Sequence, residues 1–204
     1  MTYPEFFDAI PAIRLHDPLA ELLGASDDGI LEYRYLDAVK LAGHSCPTVA
    51  AAWNMTRLAL AALYPDALPI RGDLRVALRG RDDEGVTGVI ANVVSLITGA
   101  AAQGGFKGLG GQFSRQNLLR FTAEIPLELR FTRADTGQAV DVACAPGRIP
   151  ADPEIPALLR QSLEAESTPD IRRRFGRLWQ ERVRCLLLAH GDDPNVFTVR
   201  IATD

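Results

Sequence analysis

Leu127-Glu128-Leu129-Arg130-Phe131-Thr132 alternates apolar with polar side chains, Asp135-Thr136-Gly137 follows as a turn, and Val140 and Val142 resume the alternation on the way back. Period-two alternation is what a strand with one buried face requires, because successive side chains point to opposite sides of a sheet. Two such runs joined by a short Gly-containing turn read as an antiparallel β-hairpin. A hairpin does not belong to a doubly wound parallel sheet, so the chain reads as α+β, with helices packed on a mixed sheet.

Upstream, Leu74, Val76 and Leu78 alternate with Arg75, Ala77 and Arg79 and predict a half-exposed strand closed by the charged turn Arg81-Asp82-Asp83-Glu84-Gly85. Val86, Val89, Ile90, Val93, Val94 and Ile97 recur at three- and four-residue spacing, which predicts a buried helix in spite of their β-branching. The same spacing over Val49, Trp53, Leu60 and Leu63 predicts a helix from Pro47 to the stop at Pro65. Residues 99–111 contain six glycines and read as a loop. Nearer the start, residues 3–10 read as a short helix stopped by Pro11, Asp17-Pro18 as an N-cap and first helical residue with Gly24 ending the turn, and residues 30–36 as a strand leading towards His44. Beyond the hairpin, prolines precede two helical stretches, 155–164 and 171–190, and residues 196–201 read as a last strand. We therefore expect one α+β domain over residues 1–204, with a helical C-terminal extension ending in a strand over residues 150–204.

The 204 residues carry 47% hydrophobic and 24% charged side chains, an ordinary globular balance that leaves no disordered majority. A net charge of -4 argues against binding nucleic acid through phosphate neutralisation. The run Arg172-Arg173-Arg174 reads as a solvated helix face beside Asp170. No basic segment precedes a long apolar stretch near Met1, and Thr, Asn, Gly or Pro interrupts every greasy run, so neither a signal peptide nor a membrane partner is expected. A cytoplasmic protein follows, whose three cysteines Cys46, Cys144 and Cys185 are thiols or metal ligands instead of disulfides.

Gly43-His44-Ser45-Cys46-Pro47 concentrates the chemistry. A thiol just before a helix whose first residue is Pro47 lies where unsatisfied backbone N–H groups favour negative charge. Imidazole and thiolate together are the donor pair that zinc and similar ions prefer. The same spacing also suits a plainer arrangement, in which Cys46 caps the helix and His44 bonds to backbone. Cys46 as a catalytic nucleophile, with His44 as its base, is a third possibility. Lys107, within the glycine-rich stretch, could meet an anionic small-molecule substrate in a nest of backbone N–H groups, but neither a P-loop nor a dinucleotide fingerprint is present. Cys144 and Cys185 sit among apolar neighbours and read as core, while His16 and His190 read as surface polarity or helix-end compensation.

The Gly43–Pro47 block resembles the Gly-His-x-Cys-Pro signature of the formylmethanofuran dehydrogenase FmdE family. Leu96-Ile97-Thr98-Gly99, the glycines around Phe106-Lys107-Gly108 and the hairpin with Thr136-Gly137 are similar to later parts of that family in the same order, so residues 41–143 form the resembling core. The resemblance implies a homodimer with zinc or another divalent transition metal on His44 and Cys46. It also implies a cysteine near the start of the second buried helix, where this chain has Val89, and a C-terminal zinc finger, which this chain replaces with helices. Asp83, or its neighbours Asp82 and Glu84, is the carboxylate available to stand in for that cysteine. These features leave three readings open: a metal-dependent enzyme or enzyme component, a Cys46 thiolate enzyme, and an accessory protein that binds a partner through its C-terminal helices.

Overall fold

The computed structural model describes residues 2–202. Among these described residues the architecture is α+β: a five-stranded mixed sheet, a separate two-stranded ribbon, and six α-helices. The expected hairpin is strands β5 (Leu129–Arg133) and β6 (Ala139–Cys144), paired antiparallel with Phe131 opposite Val140. Strand β3 (Leu74–Leu78) lies antiparallel to β5, the two-residue β4 (Leu119–Arg120) runs parallel to β3 at the edge, and β7 (Phe197–Ile201) pairs with β6, giving the order β4-β3-β5-β6-β7. The alternation puts Leu74, Val76, Leu78, Leu129, Phe131, Val140 and Val142 on one buried face.

Helix α3 (Pro47–Leu63) and helix α4 (Thr87–Thr98) pack on each other and on that face. Ala50, Ala51, Ala52 and Ala59 are all buried in α3 and let neighbouring backbones approach, while Trp53 and Met55 fill the remaining space. Because α3 is covered on nearly all sides, two of its polar side chains bond to backbone carbonyls within the protein, whereas the buried Trp53 Nε1 has no partner among the described residues. Asn54 Nδ2 donates to the Gly191 carbonyl at 2.6 Å, and Thr56 Oγ1 donates to Ala52 O at 2.8 Å.

Several sequence expectations need correction. Residues 30–36 divide into a strand and a helix start: β2 is Ile30–Tyr33, and α2 (Tyr35–Ala42) begins at once, because the Asp37 carboxylate accepts from the Arg34 backbone N–H at 2.8 Å and caps the first turn. The partner of β2 is β1 (Ile13–His16), too short to stand out in sequence. The opening helix is a 3₁₀ turn, Glu5–Ala9. Asp17 caps α1 (Pro18–Leu22) as expected, accepting from Leu19 N at 3.0 Å and Ala20 N at 3.3 Å. In the C-terminal part, α5 is Ile155–Leu163 and α6 is Pro169–Arg184, and the last stretch of the expected helix is a π turn, Cys185–Ala189. Among the described residues no helix is long and apolar enough to cross a membrane.

Candidate functional site

Gly43 ends α2 in a left-handed conformation, φ 75°, which a residue without Cβ adopts freely. Only His44 and Ser45 then separate it from Cys46, the N-cap of α3, and Pro47 occupies the first helical position, where its missing N–H costs nothing. The tight link between the two helices is therefore written locally. Its environment is not. Ser45 Oγ hydrogen-bonds the buried Tyr35 hydroxyl at 3.0 Å, and the Ser45 carbonyl accepts from both Trp179 Nε1 (3.0 Å) and Gln180 Nε2 (3.1 Å) of α6. Burial pushes the Tyr35 hydroxyl above its ordinary value, so it stays protonated and able to donate.

His44 and Cys46 face different surroundings. Cys46 is 9% exposed, and its sulfur accepts the Val49 backbone N–H at 3.5 Å, the capping geometry expected from its position. His44 is exposed, and its Nδ1 lies 2.9 Å from the Ala42 carbonyl. A carbonyl can only accept, so Nδ1 carries the proton when the ring is neutral, and Nε2 keeps its lone pair. His44 lines a cleft of about 160 Å³ together with Leu41, Ala42, Val89, Asn92 and Val93. Thus Val89, the residue standing where the resemblance implies a cysteine, does share a cleft with His44; it supplies no donor atom, whereas Asn92 brings an amide to the same wall.

The acidic turn is elsewhere engaged. Asp83 is gripped by Arg81 through Nε at 2.9 Å and Nη2 at 2.6 Å, Glu84 accepts from Arg81 N, and Asp82 accepts from Asp83 N. None of the three lines the His44 cleft. Among the described residues no group of three or more His, Cys, Asp and Glu side chains converges in an arrangement that could hold a metal ion. His44 lines the cleft and Cys46 does not, and the Cys46 sulfur is occupied as the cap of α3. Lys107 is exposed in the glycine-rich loop, with no partner among the described residues.

Other positions behave as their surroundings dictate. Burial, with the Glu128 charge nearby, raises the Cys144 thiol to about 12. His16 pairs with Glu21 at 2.8 Å and His190 with Asp193 at 3.1 Å. Arg173 pairs with Asp170, and Arg174 with Glu154, along the solvated edge of α6.

A charged cluster that the sequence does not signal lies beneath the glycine-rich loop. The Asp17 carboxylate, 3% exposed, binds Arg71 Nη1 at 2.9 Å and Arg115 Nη2 at 2.7 Å. Arg71 also donates to Ile97 O (3.0 Å) and Leu96 O (3.1 Å), closing the C-terminus of α4. Burial acts to raise the Asp17 carboxyl, but the Arg71 hydrogen bond and the Arg115 charge outweigh it and hold the group below its ordinary value. Arg71 and Arg115 stand 54 and 98 positions from Asp17, too far for any spacing rule to connect them.

No family model matches the chain, and no curated protein does either. Among solved structures it is similar to a tungsten formylmethanofuran dehydrogenase FmdE-like protein from Syntrophus aciditrophicus, with 17% identity, a TM-score of 0.43, and coverage of 84% of this chain and 73% of that one. That likeness is loose, and the chemistry of the site rests on this chain's own residues.

Proposed function

We propose that this protein binds one divalent transition metal, zinc above all, through His44 Nε2 and the Cys46 sulfur, and that it works as a divergent relative of the FmdE-like proteins on a small molecule entering the His44 cleft. The observation that supports this reading is the hydrogen bond between His44 Nδ1 and Ala42 O: it belongs to the plainer arrangement as well, but in the neutral ring it leaves the Nε2 lone pair of an imidazole that lines the cleft free to ligate. Both donors flank a single residue whose carbonyl is pinned by α6, so their backbone positions are held before any ion arrives. A bound ion would supply Lewis acidity to the substrate. The chain's own contribution is to orient the two donors and to wall the cleft with Val89, Val93 and Leu41.

Two donors leave coordination positions for water, for the Asn92 amide, for substrate, or for a second copy of the chain. Leu41 stands exposed at the cleft and would be covered in a homodimer built across it. A reducing cytoplasmic compartment suits the three free cysteines. A thiolate enzyme without metal draws less support, because the Cys46 sulfur is buried and bonded to the helix it caps.

The deciding experiment is zinc uptake by reduced protein, measured by elemental analysis after desalting. About one equivalent is expected for the wild type, with loss in both His44→Ala and Cys46→Ala. Equal retention by both variants would leave Cys46 as a helix cap and nothing more. Sedimentation velocity at micromolar concentration tests the homodimer, and a monomer with and without zinc would remove it.

A further inference from the structure

The face of the sheet turned away from α3 and α4 is open, and it is basic. Arg75 and Arg79 of β3 and its end, Arg120 of β4 and Arg200 of β7 are all exposed there, although the whole chain carries a net charge of -4. The register brings some of them together: Ala77 lies opposite Arg120 on one side and Arg130 on the other, and Arg75 lies opposite Thr132. Arg75 and Arg120 are thus diagonal neighbours on adjacent strands, about 7–8 Å apart at the backbone, within common reach of one bound group. Ala77, too small to fill the space between them, leaves a depression of about 270 Å³ whose rim is Arg75, Asn117, Arg120, Arg130 and Thr132.

The charges in this depression are unequal in their commitments. Arg130 is held by Asp141 through two bonds, at 2.7 and 2.8 Å. Neither the Arg75 nor the Arg120 side chain has a hydrogen bond or close ion pair among the described residues; the Arg75 charge acts on the Asp73 carboxyl from a distance, and no carboxylate lines the depression. Asn117 presents its amide from a left-handed backbone, φ 58°, a conformation that costs Asn less than most residues.

We propose that this depression is a binding site for a small phosphate-bearing molecule, gripped by the Arg75 and Arg120 guanidinium groups with Asn117 and Thr132 as neutral hydrogen-bonding partners. Guanidinium forks match phosphate oxygens two at a time. The rim has no aromatic side chain, so a nucleic acid strand would find no stacking platform. The volume accommodates a phosphate or pyrophosphate group on a short scaffold. This site is separate from the His44 cleft and shares no residue with it.

Inorganic pyrophosphate is the probe, titrated calorimetrically into metal-free full-length protein in chloride buffer at low ionic strength. Saturable one-site binding is expected, weakened at least about tenfold by Arg75→Ala and by Arg120→Ala, and weakened to the same degree by Ala77→Leu, which fills the depression without changing charge. Arg148→Ala, an exposed arginine outside the depression, should bind as the wild type does. Absence of binding to the wild type, or affinities of the Arg75, Arg120 and Ala77 variants that stay within about twofold of the wild type, would overturn the proposal. So would tighter binding of single-stranded oligothymidylate than of pyrophosphate with the same arginine dependence, since that would make the face a nucleic acid surface.

Discussion

Trp179 Nε1 donates to the Ser45 carbonyl at 3.0 Å, joining a helix of the C-terminal part to the link between His44 and Cys46. Gln180 donates to the same oxygen, so two consecutive residues of α6 share one acceptor. The C-terminal helices are thereby part of what shapes the candidate site.

Removing one donor should be tolerated and removing both should not. Trp179→Phe keeps an aromatic ring and loses the N–H, and Gln180→Leu loses the amide; each is expected to lower the unfolding free energy by about 1 kcal/mol. The double variant should lose more than the sum, because it orphans the Ser45 carbonyl. Urea unfolding of the four proteins checks this, and strict additivity would show that the carbonyl finds another partner.

Serine at position 46 separates capping from metal binding. Ser is a better N-cap than Cys, so Cys46→Ser should unfold at the wild-type urea concentration or above it, while Cys46→Ala should lose about 1 kcal/mol. Zinc uptake should fall in both. Full zinc uptake by Cys46→Ser with normal stability would contradict a role for the sulfur in binding the ion.

Asp17→Asn should destabilise in a pH-dependent way. The Asp17 carboxyl is held below its ordinary value in the folded protein, so its contribution is complete above the unfolded value, near pH 4, and is lost as pH falls through the lower folded value. The gap between wild type and variant should be about 3 kcal/mol or more at pH 7, since two guanidinium groups lose their shared anion. That gap should narrow below pH 4. Thermal unfolding from pH 3 to 7 measures it, and a constant gap would show that the amide cap, not the charge, is at stake.

Gly72 is tied to the same cluster. A Cβ there would overlap the Arg115 guanidinium, and the residue has φ 89°. Gly72→Ala must both strain the backbone and expel a guanidinium from Asp17, and should cost more than about 2 kcal/mol. Gly137→Ala, also at positive φ but with open space around it, is the control and should cost less.

Cys144 should be inert towards alkylation. With its thiol raised to about 12 by burial and by the Glu128 charge, very little of it is thiolate at pH 8. Thiol titration with a disulfide reagent should therefore count Cys144 only after denaturation. Rapid modification of native protein at that residue, located by peptide mapping, would contradict its placement.

The local chemistry of this chain is legible without its fold. Asp17-Pro18 and Cys46-Pro47 are both written as caps and both act as caps, because an N-cap needs only its own side chain and the next three residues. The hairpin, β3, α3 and α4 follow from alternation or helical spacing strong enough to survive in isolation. What joins distant segments was decided by tertiary structure alone. Arg71 and Arg115 meet at Asp17, Trp179 meets Ser45, and His44 meets Val89 and Asn92 of α4, each through packing of elements whose separation in sequence carries no periodic mark. Burial is the physical reason: it forces a carboxylate to find cations and a carbonyl to find donors wherever the fold brings them, and no local rule states where that will be.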